Sequence, residues 1–187
     1  MARQPALQDR ISTGILDAAA AVLAERGPTA SMSEIAAAAG VGRATLYRYF
    51  PNRDALLAGL IRAATDELQS RVAAADLGGI PVEVALSRLA RAFLTAGAKY
   101  AVLAGVDKKG LGDSGELEAE VRRPVRELID RGLADGTLRP GIGADVLLSS
   151  LAALLEHGLA RVMAGDAGIE TVSDSLVDLF LNGAADH

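Results

Sequence analysis

An all-α fold is what this sequence predicts: about nine helices, arranged as a short head followed by a longer helical bundle. Three observations predict it. Half of the 187 residues are hydrophobic while aromatics make up only 3%, so Leu, Ala, Val and Ile must build the core. Ala- and Leu-rich chains with few β-branched runs favour helix. Apolar residues recur at helical spacing from one end to the other, and Gly- and Pro-containing breaks separate the segments. No strand-like alternation, internal repeat or low-complexity tail stands out.

The first helix is expected over Asp9–Glu25, where Ile11, Ile15, Ala18, Ala19, Val22 and Leu23 fall on helical spacing. Arg26-Gly27-Pro28 ends it, with Gly at the C-terminal cap and Pro after it. Ser31-Met32-Ser33-Glu34 has the Ser-x-x-Glu form of a capping box and opens a short helix through Ala39, which Gly40 closes. Val41-Gly42 forms a turn, and a second short helix follows from about Arg43 to Tyr49. Phe50-Pro51-Asn52 breaks the chain again. Asn52 can cap a longer helix whose buried face carries Leu56, Leu57, Leu60, Ile61, Ala64, Leu68 and Val72. Two short helices around a Gly-containing turn, flanked by longer ones, outline a helix-turn-helix. The expected division is a head over residues 1–58 and a body over residues 59–187.

The body continues the pattern. Leu77-Gly78-Gly79-Ile80-Pro81 is a break, and a helix is expected from Val82 to about Leu103. Gly105 to Gly115, with Lys108-Lys109, reads as a loop or a broken helix. Glu116 to Ala134 is helical in composition, with Pro124 a kink or a restart. Asp135-Gly136 makes a turn and Gly141-Ile142-Gly143 a second break. Two last helices are expected at about Ala144–Met163 and Ile169–Leu181.

Composition excludes several chemistries. The chain has no cysteine, which removes disulfides, thiolate zinc sites and cysteine nucleophiles. It has two histidines, one of them the terminal His187, and shows no His-Glu metal pair, Gly-x-Ser-x-Gly or phosphate loop. No enzyme activity, metal or cofactor is expected. Met1 to Arg10 is polar and lacks a signal-like apolar run, and the apolar stretch Val146 to Leu155 is too short to span a bilayer. A soluble, cytoplasmic protein is expected, with no membrane partner. The net charge of −5 is unevenly spread. Residues 1–62 hold seven arginines and five acids, net +2; the remainder holds twelve basic and nineteen acidic residues, net −7. A mildly basic head on an acidic body suits a protein that presents one end to phosphate.

The segment Ser33 to Phe50 carries the function. Ile35, Ala36, Ala39, Val41, Leu46 and Phe50 can form a small core between two crossing helices, where the small residues permit close approach. The other positions of the second helix then point outward. Tyr47, Tyr49 and Phe50 are three of only six aromatics in the chain, and Arg43, Thr45 and Arg48 sit beside them. A helix presenting Arg, Thr and Tyr suits the major groove: Arg pairs with guanine edges, Thr reaches a thymine methyl or a phosphate, and Tyr hydroxyls hold phosphate oxygens.

The run from Glu34-Ile35-Ala36 through Ala39-Gly40-Val41, Thr45-Leu46-Tyr47-Arg48-Tyr49-Phe50-Pro51-Asn52-Arg53-Asp54 to Leu57 resembles the DNA-binding signature of the TetR family. The detailed likeness covers about residues 10–60, and Gly132 to Pro140 is similar to the link before the dimerisation helices of many members. The resemblance implies a ligand-responsive regulator, a repressor that a small-molecule effector releases from a palindromic duplex operator. It implies that Arg43, Ala44 and Thr45 face base edges, that Arg48 reaches a base or phosphate, and that Tyr47 and Tyr49 grip the backbone. It implies further that Ser31 and Ser33 lie near phosphate and that Arg53 contacts one. Plainer roles stand beside these: Tyr47 as packing, Arg53 as a solvated charge, Ser31 as a cap alone. Gly42 departs from the Ser common in the family, which removes a side-chain phosphate contact but still caps well.

The last two helices are apolar on more than one face, through Val146–Leu155 and through Val172, Leu176, Leu179 and Phe180. Such helices need partners on several sides, and the resemblance implies that they pair two subunits in a four-helix bundle. A dimer would present two recognition helices to two half-sites. The resemblance also implies a ligand pocket between body helices. Phe93 and Tyr100, seven apart on one expected helix, are candidates to line it or to pack the core. His157, inside an apolar helix, is a core, interface or ligand residue. The alternative to a regulator is a helical ligand-binding or protein-interaction module whose head no longer reads DNA.

Overall fold

The computed structural model describes residues 3–100 and 121–184. Among these are eight α-helices and no strand: α1 (Arg3–Arg26), α2 (Met32–Ala38), α3 (Arg43–Tyr49), α4 (Arg53–Ala74), α5 (Val82–Lys99), α6 (Arg123–Asp135), α7 (Ala144–Ala164) and α8 (Ile169–Ala184). The expected loop at Gly105–Gly115, the end of the fifth helix near Leu103 and the start of the sixth at Glu116 lie outside the described residues. The described chain divides into two compact units. The first holds residues up to Ala64 with Lys99 and Tyr100, and the second holds Thr65–Ala98 and the residues from 121 onward. The division falls six residues beyond the expected boundary at 58.

In the first unit, α1 starts six residues earlier than expected. Pro5 lies in its first turn, where the N–H that proline lacks would have no intrahelical partner. Gly27–Thr29 forms a single 3-10 turn after α1. The capping box at α2 is complete. Ser31 Oγ accepts from the Glu34 N–H (3.3 Å), and the Glu34 carboxylate accepts from the Ser31 N–H (2.8 Å). Gly40, at φ +66°, ends α2 in a Schellman pattern: the Val41 N–H donates to Ala36 O (3.0 Å) and the Gly40 N–H to Ala37 O (3.1 Å). Asn52 Oδ1 accepts from the Ala55 N–H (2.8 Å) and caps α4. Ile15, Leu23, Ile35, Leu46, Leu56 and Leu60 form the fully buried centre of this unit.

In the second unit, Leu86, Leu94, Leu128, Ile129 and Leu138 form the fully buried centre, with Leu147, Leu151, Leu155, Leu176 and Phe180 around it. Pro124 sits in the first turn of α6. The Asp135-Gly136 turn holds as expected, with Gly136 at φ +80° and the Leu138 N–H donating back to Gly132 O (2.8 Å). Helices α7 and α8 approach closely at Gly158: a Cβ there would lie 2.3 Å from Leu176 Cδ1 and 3.0 Å from Val172 Cγ1.

Candidate nucleic-acid interface

Helix α3 has two sides. Leu46 is fully buried and Phe50, its C-terminal cap, is buried, which fixes the inner side. Arg43, Ala44, Tyr47 and Arg48 are exposed, and their positions form one outward face at helical spacing. Tyr47 is 40% exposed, the highest exposure of the aromatics on α3. Thr45 is half-buried. Tyr49 is also half-buried, packs against the head core and lies under the Arg48 guanidinium, 5.3 Å from ring centroid to Cζ. Its ring thus orders Arg48 as well as presenting a hydroxyl. Gly42 supplies no side-chain cap to α3.

The residues at the start of α2 are organised by Glu34. Its carboxylate accepts from the Ser31 N–H and Oγ–H, both at 2.8 Å, and from Arg26 Nη1. Those hydrogen bonds, the Ser31 backbone bond first, hold the Glu34 carboxyl below its ordinary value. Ser31 is thus engaged as a cap, and Ser33 is half-buried on the same turn. Arg53 is not a solvated charge. It is half-buried, and its Nη1 and Nη2 donate to Ala30 O (2.6 Å) and Pro28 O (2.8 Å).

The structure separates the residues expected to line a pocket. Phe93 is half-buried against the core of the second unit. Tyr100 is buried in the core of the first unit, next to Lys99, whose ammonium pairs with Asp17 on α1 (3.1 Å) and lies 5.3 Å from the Tyr100 ring. Partial burial acts to lower the Lys99 pKa, but the hydrogen bond to Asp17 and the neighbouring charges outweigh it and the net shift is upward. His157 is exposed on α7 and not in the core. The second unit has a half-open cleft of about 280 Å³ lined by Val72, Leu77, Leu128, Asp76, Glu127 and Arg131 among others; Phe93 and His157 are not among its walls.

Sequence reading missed Arg26 and Asp17 as partners and the carbonyl contacts of Arg53. One signal existed for Arg53: a cation in the first turn of a helix opposes the macrodipole and calls for compensating acceptors.

A short capped helix, a tight glycine turn and a second short helix with an Arg- and Tyr-bearing outer face define a helix-turn-helix of the DNA-reading class. The family model for bacterial regulatory proteins of the tetR family matches residues 15–60. The HTH-type transcriptional repressor LfrR of Mycolicibacterium smegmatis is 44% identical over 90 residues, which span 48% of this chain and 47% of LfrR, about half its length. The crystal structure of LfrR from Mycobacterium smegmatis in complex with proflavine matches at a TM-score of 0.71 and 30% identity, over 95% of this chain and 99% of that one. The fatty acid degradation regulator FadR from Bacillus halodurans shares the fold at a TM-score of 0.75 and 23% identity, over 91% and 94%. The chain belongs to the TetR family of bacterial regulatory proteins.

Proposed function

We propose that this protein is a homodimeric transcriptional repressor that reads a palindromic duplex operator through α3 and leaves it when a small molecule binds the body. The observation that carries the reading is the outward face of α3, where Arg43, Ala44, Tyr47 and Arg48 stand exposed together. Arg43 and Ala44, in the first turn, face base edges, with Thr45 beside them. Arg48 reaches a base or a phosphate, and the Tyr47 and Tyr49 hydroxyls hold phosphate oxygens. Ser31 and Ser33 bring the start of α2 toward the backbone.

A second copy accounts for the apolar surface of α7 and α8. Helix α7 is 21 residues long and holds an 18-residue stretch of mean hydropathy 1.4, enough by length and composition to cross a membrane, yet only 22% of that stretch is buried within the chain. Glu156 and His157 sit in its middle, where hydrocarbon would penalise them. Val146, Met163 and Leu179 are exposed. Pairing with the same helices of a second subunit covers this surface, and it places His157 at the interface. For the effector, the support is the LfrR structure with proflavine and the cleft beside Leu77 and Arg131. Phe93 and Tyr100 take part through core packing that the effector perturbs. The protein acts in the cytoplasm, and no catalytic step is proposed.

Affinity selection from a random duplex pool tests this reading. The expected result is an enriched palindrome with two half-sites about one helical turn apart. A folded, dimeric protein that enriches no sequence would overturn it in favour of a head that has lost DNA reading.

A further inference from the structure

We propose that Arg53 is a positioning residue for DNA reading: a guanidinium clamp that holds the start of α4 to the segment entering α2 and thereby sets the sequence discrimination of the head. This role rests on the DNA-reading function proposed above. The clamp bonds Nη1 to Ala30 O and Nη2 to Pro28 O, at 2.6 and 2.8 Å. Hydrogen bonds from a charged donor are roughly twice as strong as neutral ones, and two from one planar group fix an angle as well as a distance. The chain between Ala30 and Arg53 contains all of α2, the turn and α3. Closing that loop across its ends fixes how the helix pair leans on α4.

The surroundings make both ends firm. Ala30 is buried at 2% exposure, and the next residue, Ser31, is held by the Glu34 capping box. On the other side Asn52 caps α4 one residue before Arg53. A positive charge at a helix N-terminus is unfavourable toward the helix dipole, and the two carbonyls offset that. Lysine carries a point charge without the planar fork, so it cannot reproduce the paired geometry. In this proposal Arg53 acts inside the protein, whereas the family resemblance implies a phosphate contact.

The two roles give different binding data. The test compares wild type, Arg53→Lys and Arg53→Met on the selected duplex and on a scrambled duplex of equal length and composition, across several salt concentrations. A clamp predicts that both variants lose about tenfold or more in the ratio of selected to scrambled affinity, with an unchanged slope of log K against log salt. A phosphate contact predicts that Arg53→Lys behaves as wild type, and that Arg53→Met weakens both duplexes equally with a slope shallower by about 0.9; that result overturns the proposal. A merely structural role predicts fewer active molecules with an unchanged ratio, seen by titrating the active fraction, and overturns it too. Should Arg53→Met not fold, Arg53→Lys carries the test by itself. A wild type that enriches no duplex overturns the DNA-reading function and this role together, whereas a reading wild type with a Lys variant of unchanged ratio overturns this role alone.

Discussion

At the scale of single residues, the start of α2 shows how a local sequence pattern becomes a site. Ser31 and Glu34 are three apart, and that spacing alone brings hydroxyl, carboxylate and two amides together. Ser31→Ala is expected to cost about 1 kcal/mol of stability, read from urea denaturation. Glu34 adds a pH dependence of known sign. Its carboxyl is held below the ordinary value by the Ser31 backbone and side-chain bonds and then by Arg26. A lowered folded-state pKa contributes stability that is fully present above the unfolded value and is lost as pH falls through the folded one. Melting temperature should therefore fall below about pH 4.5, the unshifted carboxyl value, more in wild type than in Glu34→Gln; parallel curves for the two proteins would contradict this. The capping box was legible because its partners are neighbours in sequence. The Arg53 bonds to Ala30 and Pro28 span more than twenty residues, and a pattern of side chains carries no record of which distant carbonyls a guanidinium will meet.

At the scale of elements, the breaks governed legibility. Gly27-Pro28, Gly40 and Gly136 act through their own backbone preferences and Asn52 through its side-chain cap, so the ends of α1, α2 and α6 and the start of α4 follow from them directly. The early start of α1 was hidden because a proline in a first helical turn looks like a breaker when read alone. The placement of Tyr100 was hidden for another reason. Helical periodicity gives the face a residue occupies but not the core that face meets: α5 packs in the second unit, and Tyr100, one residue beyond it, is buried in the core of the first. Contact between elements also sets tolerances. At Gly158 a methyl group would fall 2.3 Å from Leu176 Cδ1. Gly158→Ala is therefore expected to lower stability by about 1–3 kcal/mol through overpacking of α7 on α8, despite the better helix propensity of alanine. Differential scanning calorimetry of the variant checks this, and an equal or higher melting temperature would show that the helices separate at no cost.

At the scale of the whole molecule, the proposed function rests on two outward surfaces. The exposed apolar positions Val146, Met163 and Leu179 predict that Val146→Glu with Leu179→Glu yields a helical monomer in sedimentation; a dimer that survives both charges would place the interface elsewhere. The outward face of α3 was legible because tyrosine and arginine are unusual choices for a short solvated helix in so aromatic-poor a chain. The cleft beside Leu77 and Arg131 was not legible, since a pocket is a property of packed helices and no local pattern marks its walls. The most direct test of the central claim, that the outer face of α3 reads duplex sequence, is the affinity of wild type and Arg43→Ala for the selected palindrome by fluorescence anisotropy. The account predicts a loss of about 1–3 kcal/mol for Arg43→Ala, with the dimer intact and scrambled duplex bound as before. Equal affinity of the two proteins for the palindrome would contradict it.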